Sequence, residues 1–468
     1  MSGDSRDIRV TDECVFELPV GPPRTDRTFD VCVLRFDDDA RPVKQKRDQL
    51  EQVKERIELA RSGRGRAKDQ DQNGAALVVV FIHGWHHNHE WHDGHFSEFR
   101  DLLTRLARRE VERRDEHTRR VVGIYIGWNG DRPGSRLWRL PGFNHLTFWD
   151  RFRVACKLGE SDAMERAFNT IVRAVKKPTE ESRGRESPLV VVGHSMGALI
   201  TQRCVQRLLS SEMAHARGLA ADVQPMPPDA ETIHAETRSK YRTFPFPDLV
   251  LTLNSAANAS IAKDIREMLL KVEMRREAKG GQVRYVAPIM ISATARADWI
   301  TRCVWRLANR FEKTDGHSDE LRTHDLRECG PAHCAPAPTE RSFGQSWHCL
   351  RRPEPSSHEA PSFGIDLPAK PWLDSARDNL KRQHVRYYLN PRLKVSMGAP
   401  SSFWVFSLPW SLSKGHNDIF NYRSSLLVLA LMQISGAAVS LAENWTDVFE
   451  PETADPPTGR GCLDRTAG

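Results

Sequence analysis

Apolar residues fall along this chain in short runs of two kinds, and their alternation predicts a layered α/β architecture. Residues 29–36 (FDVCVLRF) form a β-like run, followed by Asp-rich turn residues and a charged helical stretch over 43–60. The run 75–82 is continuously apolar and rich in β-branched residues, the pattern of a strand covered on both faces of a parallel sheet. A helix-period segment over 97–112 and a strand over 121–126 repeat the alternation. After a looped, aromatic-rich passage come a helix over 162–175, a strand over 189–192 and a helix over 198–209.

The polar, proline-bearing stretch 210–247 reads as a loop before the strand 249–253, the helix 260–277 and the strand 288–292. Composition then shifts. Residues 309–400 are rich in Pro, His, Cys and charge and are expected to form an irregular insertion, a lid over a pocket being the simplest role. A last strand over 403–408 and a closing apolar helix complete the pattern. The expected fold is a mostly parallel sheet of about eight strands with helices on both faces. Its core spans 1–308 and 401–442, and a polar, Pro-rich tail over 443–468 is expected to be mobile.

The segment after the strand 189–192 carries the first candidate chemistry. Gly193-His194-Ser195-Met196-Gly197 has glycines two positions either side of a serine, between a strand and a helix. A serine hydroxyl needs a base and a rigid, projecting turn to act as a nucleophile, and this spacing supplies the turn. The strand 75–82 ends in His83-Gly84-Trp85, beside the expected nucleophile strand. Backbone N–H groups of Trp85 and Met196 are therefore the candidate oxyanion hole.

These two segments, together with Gly127-Trp128-Asn129-Gly130, resemble the α/β-hydrolase superfamily, and in particular its poorly characterised lipase- or esterase-like members. Those members carry H-G-W-x-H-N after the third strand, matched here by 83–88 with one extra histidine, and G-W-x-G after the fourth. The resemblance spans roughly 29–433, apart from the polar stretch after Asn309. It implies an acid after a later strand and a histidine near the end of the fold. Asp298, in a segment similar to S-x-x-D-W, matches the acid, and His416, in a match to G-H-x-D-I, matches the histidine. Asp248 and Asp418 are rival acids; Asp248 precedes its strand, and Asp418 stands where it would cap the last helix.

The implied activity is serine hydrolysis of a carboxylic ester, small or lipid-like, through an acyl intermediate on Ser195, with His416 as base and Asp298 orienting it. Acyl transfer to another acceptor, thioester or amide hydrolysis, and a non-catalytic binding module on the same fold are the alternatives. Trp138, Phe143, Phe148 and Trp149 are candidate pocket walls for an apolar acyl group.

No cofactor or metal is expected. The histidines His86, His87, His89, His92 and His95 are too closely spaced to favour one ligand geometry. His317, His324, Cys329, His333, Cys334, His348 and Cys349 do not match paired C-x-x-C knuckles. Charge narrows the partners: 69 basic residues against 62 acidic give a net charge of +7, but the two signs are interspersed, which argues against nucleic acid. The run 426–441 is interrupted by Gln433, Ser435 and Gly436 and reads as a buried helix, so membrane contact is possible but not indicated. Nine scattered cysteines and a start without an apolar leader pattern lead to the expectation of a cytoplasmic protein.

Overall fold

A computed structural model describes residues 9–12, 14–20, 28–62, 74–112, 119–130, 144–177, 187–219, 246–277, 288–308, 313–322, 324–328, 363–368, 384–391, 402–410, 412–419 and 421–435. In chain order the strands are β1 (Arg9–Asp12), β2 (Val15–Pro19), β3 (Thr28–Arg35), β4 (Ala76–Ile82), β5 (Arg120–Gly127), β6 (Leu189–His194), β7 (Leu249–Leu253), β8 (Met290–Ala295), β9 (His324–Glu328), β10 (Phe363–Pro368), β11 (His384–Pro391) and β12 (Phe403–Leu408). The helices are α1 (Gln49–Ser62), α2 (Gly94–Glu112), α3 (Asn144–Glu160), α4 (Asp162–Lys176), α5 (Met196–Leu219), α6 (Ala259–Glu277), the short α7 (Trp305–Ala308) and α8 (Tyr422–Ile434).

The strands form one 12-stranded sheet in the order β1-β2-β3-β5-β4-β6-β7-β8-β12-β9-β11-β10. Every pairing from β3 through β9 is parallel, and the flanking pairings are antiparallel. The protein is therefore an α/β fold with a mostly parallel sheet, as the alternating runs predict.

Strict side-chain alternation along the strands separates two cores. Val78, Val80, Ile82, Ile124 and Val191 pack with residues of α1, α3, α4, α5 and α6. Leu77, Val79, Phe81, Tyr125 and Val192 pack with α2 and α8. Helices thus cover both faces. Because the central strands are buried on both sides, they need apolar residues at every position, which is why β4 reads ALVVVFI with each residue buried.

Several expectations need correction. The sheet exceeds about eight strands because β1 and β2 precede the first predicted strand and because 309–400 is not simply irregular. That stretch supplies β9, β10 and β11, which extend the sheet beyond β12. Residues 313–322 also pack into the fold, with Asp315 and Gly316 buried. Hydrogen bonding along a sheet edge orders strands of mixed polarity such as HDLRE, whose composition carries no strand signal. The aromatic passage before α4 contains helix α3 instead of loop alone; its amphipathic stripe includes Phe148, Val154, Ala155 and Leu158.

Helix α1 starts later than 43 because the Asp48 carboxylate accepts the N–H groups of Leu50 and Glu51 at 2.8 and 3.2 Å, the mark of an N-cap. Helix α5 runs on to Leu219, into the stretch read as loop. The expected mobile tail, Trp138 and Phe143 lie outside the described residues, as do Cys329, His333, Cys334, His348 and Cys349. Helix α8 is buried from Leu426 to Met432, and among the described residues no helix is long and apolar enough to cross a membrane.

Candidate active site

Parallel strands deliver their carboxyl ends to one edge of the sheet, so the segments that follow β4, β5, β6, β7, β8 and β12 meet there. Ser195 follows β6 directly and has φ of 54°. A non-glycine residue in this left-handed region costs on the order of 1–3 kcal/mol and persists only where surrounding contacts determine it. Here they do. Ser195 N donates to Leu253 O at 3.0 Å, and Ser195 O accepts from Ala198 N at 3.0 Å, Leu199 N at 3.2 Å and Ala256 N at 3.1 Å.

The flanking glycines are required by space. A Cβ on Gly197 would lie 2.1 Å from Ile82 O and 2.5 Å from His83 O, and one on Gly193 would lie 2.7 Å from Ala198 Cα. Both positions face backbone atoms, and Gly193 also faces Thr201 Oγ1 at 2.4 Å. Helix α5 therefore begins against the end of β4, with the serine projecting at the turn.

His416, on the loop after β12, places Nε2 2.7 Å from Ser195 Oγ and Nδ1 2.9 Å from Asp298 Oδ2. Asp298 is fully buried after β8. Its Oδ2 also accepts the Thr301 hydroxyl at 2.6 Å and its Oδ1 the Thr301 N–H at 3.1 Å. Burial alone pushes this carboxyl up, but the His416 imidazole and the Thr301 donors outweigh it and hold it below its ordinary value. An ionised Asp298 fixes the proton of His416 on Nδ1 and leaves the Nε2 lone pair facing the serine hydroxyl. The arrangement can accept the proton of Ser195 as its oxygen attacks an electrophile.

The rival acids serve elsewhere. Asp248 sits at the amino end of the sheet, paired with Lys176 and accepting Leu189 N–H at 2.7 Å. Asp418 accepts Lys414 N–H at 2.8 Å and Asn421 Nδ2 at 2.7 Å, so it braces the His416 loop. The cap of α8 is instead Asn421, whose Oδ1 accepts Ser424 N–H at 2.9 Å.

The motifs after β4 and β5 form one interlocked unit. His83 is buried between two aromatic rings, with centroids 5.4 Å from Tyr125 and 5.6 Å from Trp128. Its Nδ1–H donates to Gly84 O at 2.9 Å, its Nε2 accepts Trp128 N–H at 3.1 Å, and its carbonyl accepts the Trp128 indole N–H at 2.9 Å. His86 N–H donates to Gly130 O at 2.9 Å. A Cβ on Gly84 would lie 2.9 Å from Ser195 Cβ, so the Gly84-Trp85 backbone runs against the serine. Among the described residues neither the Trp85 nor the Met196 N–H meets an acceptor, and both stand beside Ser195 in the two turns.

Sequence reasoning missed the clamp on the His416 loop. The His416 carbonyl accepts His194 Nε2–H at 2.8 Å and Asn254 Nδ2 at 2.7 Å, and Asn254 Nδ2 also reaches Gly415 O at 3.3 Å. Asn254 Oδ1 accepts Ala295 N–H at 2.8 Å. One side chain thus ties the ends of β7 and β8 to the histidine loop. Asn254 has φ of 47°, a conformation Asn tolerates better than most residues. The only signal in the sequence was an Asn directly after a strand.

Three further histidines near the site are buried and neutral. Burial pushes His83 down to about 3 and His95 and His194 well below the ordinary imidazole value. None of them puts a positive charge beside Asp298 that would compete with His416. Trp85, Phe148, Phe152 and Trp305 form an aromatic wall next to the Gly84-Trp85 turn, with centroid separations of 5.3 Å for Trp85–Phe148 and 4.8 Å for Phe152–Trp305. Phe148, expected as a pocket wall, is buried in the core together with Trp305. Among the described residues no group of three or more His, Cys, Asp or Glu side chains is placed to hold a metal ion. His317, from the stretch 309–400, lies behind the acid, with Nε2 3.1 Å from Thr301 Oγ1.

No model of a known protein family matches the chain, and no curated protein matches it.

Two outcomes test this description. His83 is neutral in the fold down to about pH 3, whereas the unfolded imidazole takes up a proton near 6.5, so the unfolded chain binds more protons between those values. Stability should therefore fall as pH is lowered through that window, by on the order of 1 kcal/mol per pH unit, with His95 and His194 acting in the same direction. Thermal melts between neutral and mildly acidic pH read this, and a midpoint that stays flat or rises on acidification contradicts it. Second, Asn254→Gly keeps the positive φ without strain but removes the clamp. It should slow the reaction of Ser195 with a fluorophosphonate by about 10²-fold, the effect of a misplaced base. An unchanged rate in a protein of normal melting temperature would show that the clamp does not position His416.

Proposed function

We propose that this protein is a serine hydrolase of the α/β-hydrolase fold that cleaves carboxylic esters. The observation that carries this reading is the continuous hydrogen-bonded line from Ser195 Oγ through His416 to Asp298 Oδ2, with steps of 2.7 and 2.9 Å. The order serine, acid, histidine after β6, β8 and β12 supports assigning the sheet to that fold, in keeping with the resemblance of the segments around Trp85 and Ser195.

In the proposed reaction Ser195 Oγ attacks the ester carbonyl carbon while His416 Nε2 takes the hydroxyl proton. The carbonyl oxygen, now an anion, is stabilised by the N–H groups of Trp85 and Met196. The bond to the alcohol breaks as His416 returns the proton to the leaving oxygen. Water then attacks the acyl group with His416 as base and frees the acid. Asp298 stays ionised and holds the imidazole tautomer throughout.

The part-exposed Trp85 and Phe152, backed by the buried Phe148 and Trp305, support a preference for an apolar acyl group beside the Gly84-Trp85 turn. No step in this sequence calls for a cofactor. Among the described residues the thiols of Cys32, Cys156, Cys204 and Cys303 are not in disulfides, which supports a reducing, cytoplasmic setting.

A series of p-nitrophenyl esters of increasing acyl length tests the reading. Hydrolysis should rise from acetate to longer chains and fall by about 10³-fold or more in both Ser195→Ala and His416→Ala. Turnover that survives Ser195→Ala would overturn the assignment of the nucleophile, and a flat chain-length profile would overturn the apolar acyl preference.

A further inference from the structure

Among the described residues the large hydrophobic side chains left exposed are Trp149, Trp299 and Trp410, at 39%, 57% and 63% of their surface. All three belong to segments that follow the carboxyl ends of parallel strands, the edge that carries Ser195. Trp299 directly follows Asp298, and Trp410 precedes His416 in the loop after β12. The two loops leave the sheet side by side. Leu408 and Ala295 are paired in register, Arg296 N–H donates to Leu408 O at 3.0 Å, and Arg296 Nε lies 3.4 Å from Ser407 Oγ. Trp149 packs edge-to-face on Phe148, which itself contacts Trp305.

Around Trp299 the exposed charges are basic, while Asp150 beside Trp149 is paired with the buried Arg151. After Trp299 the chain turns through a π-helix (Ile300–Val304) into α7, burying Thr301 and Trp305 and leaving Arg302, Cys303 and Arg306 exposed. Trp299, Arg302 and Arg306 are thus all exposed on this one turn of chain. From 296 to 306 the only acid is Asp298, which is fully buried beneath His416. On the facing loop Lys414 is exposed near Trp410, and the Asp418 carboxylate is taken up by Lys414 N–H and Asn421. Indoles that are apolar but carry an N–H, flanked by cations on flexible stems, suit the boundary between headgroups and acyl chains. A nucleic acid would not reward indoles separated on three segments, whereas a lipid surface accepts them all at once.

We infer that this rim, Trp149, Trp299 and Trp410 with Arg302, Arg306 and Lys414, docks the protein peripherally on an anionic phospholipid surface with the carboxyl edge of the sheet facing the lipid. The inference does not rest on the hydrolase reading. If both hold, the ester substrate is one presented at that interface, reached without leaving the lipid.

The test uses the full chain carrying Ser195→Ala, so that no turnover enters, and sediments it with vesicles of phosphatidylcholine alone or mixed with phosphatidylglycerol. The protein should sediment with the mixed vesicles, bind phosphatidylcholine alone far more weakly, and be released as salt rises. Replacing two rim cations, Arg302→Glu with Arg306→Glu, should weaken binding by about tenfold or more, since each basic residue at such a surface contributes roughly fivefold. Trp299→Ala with Trp410→Ala should weaken it similarly, and a thermal melt establishes that each variant is folded. No binding by the parent chain, equal binding to both vesicles, or undiminished binding by a folded Arg302→Glu protein would overturn the inference. A dimer formed without lipid and lost in the tryptophan variants would overturn it too, by giving the surface to a second copy. None of these readouts depends on ester cleavage, so failure here leaves the proposed reaction standing, and an inactive Ser195 leaves the docking standing.

Discussion

The hydrogen bond between His416 and Ser195 depends on two loops far apart in the chain being held to within an ångström of each other. A parallel sheet solves most of this problem, because it collects the carboxyl ends of its strands along one edge whatever their separation in sequence. Side chains solve the remainder. Asn254 and His194 grip the carbonyl of His416 itself, so the imidazole is located by its own backbone as well as by Asp298. The serine is held with equal economy: its left-handed backbone is fixed by four hydrogen bonds from β7, α5 and the turn after β7, and two glycines leave room for the helix to start against β4. Strain at Ser195 and rigidity around it are two sides of one arrangement.

Burial sets the electrostatics. Histidines crowd this region, yet His83, His95 and His194 are kept neutral by desolvation, and His83 serves as a hydrogen-bonded wedge between Tyr125 and Trp128. Its two ring nitrogens are committed to Gly84 and Trp128, which ties the turn after β4 to the turn after β5. Such imidazoles act as shape and as hydrogen-bond donors, not as charges. The ionised carboxyl of Asp298 therefore has one imidazole to orient, and Thr301 occupies its remaining acceptor sites.

Much of this was legible in the sequence. The doubly buried strands β4, β5, β6 and β7 announce themselves by unbroken apolar runs, because both of their faces are covered. Ser195 is legible because its turn demands glycine at two fixed positions, and the structure brings Asp298 and His416 to it. What was not legible depends on tertiary contact. β9 owes its order to edge pairing and carries no periodic signal, and the short alternations of β10 (FGIDLP) and β11 (HVRYYLNP) are set in a long polar, Pro-rich stretch, so 309–400 read as irregular. The aromatic residues of α3 obscured its helical period. The clamp by Asn254 is invisible in sequence because a single polar residue after a strand has many ordinary uses, and only the folded register brings it to the carbonyl of His416.

The central claim is that the hydroxyl of Ser195 is activated by its neighbours and is the group that becomes acylated. The most direct measurement is the intact mass of the protein after reaction with a fluorophosphonate, followed by location of the adduct in a digest. The account predicts a single adduct per chain, on Ser195, formed far more slowly when His416 is replaced. An adduct on another residue, or labelling that proceeds equally well without His416, would contradict it.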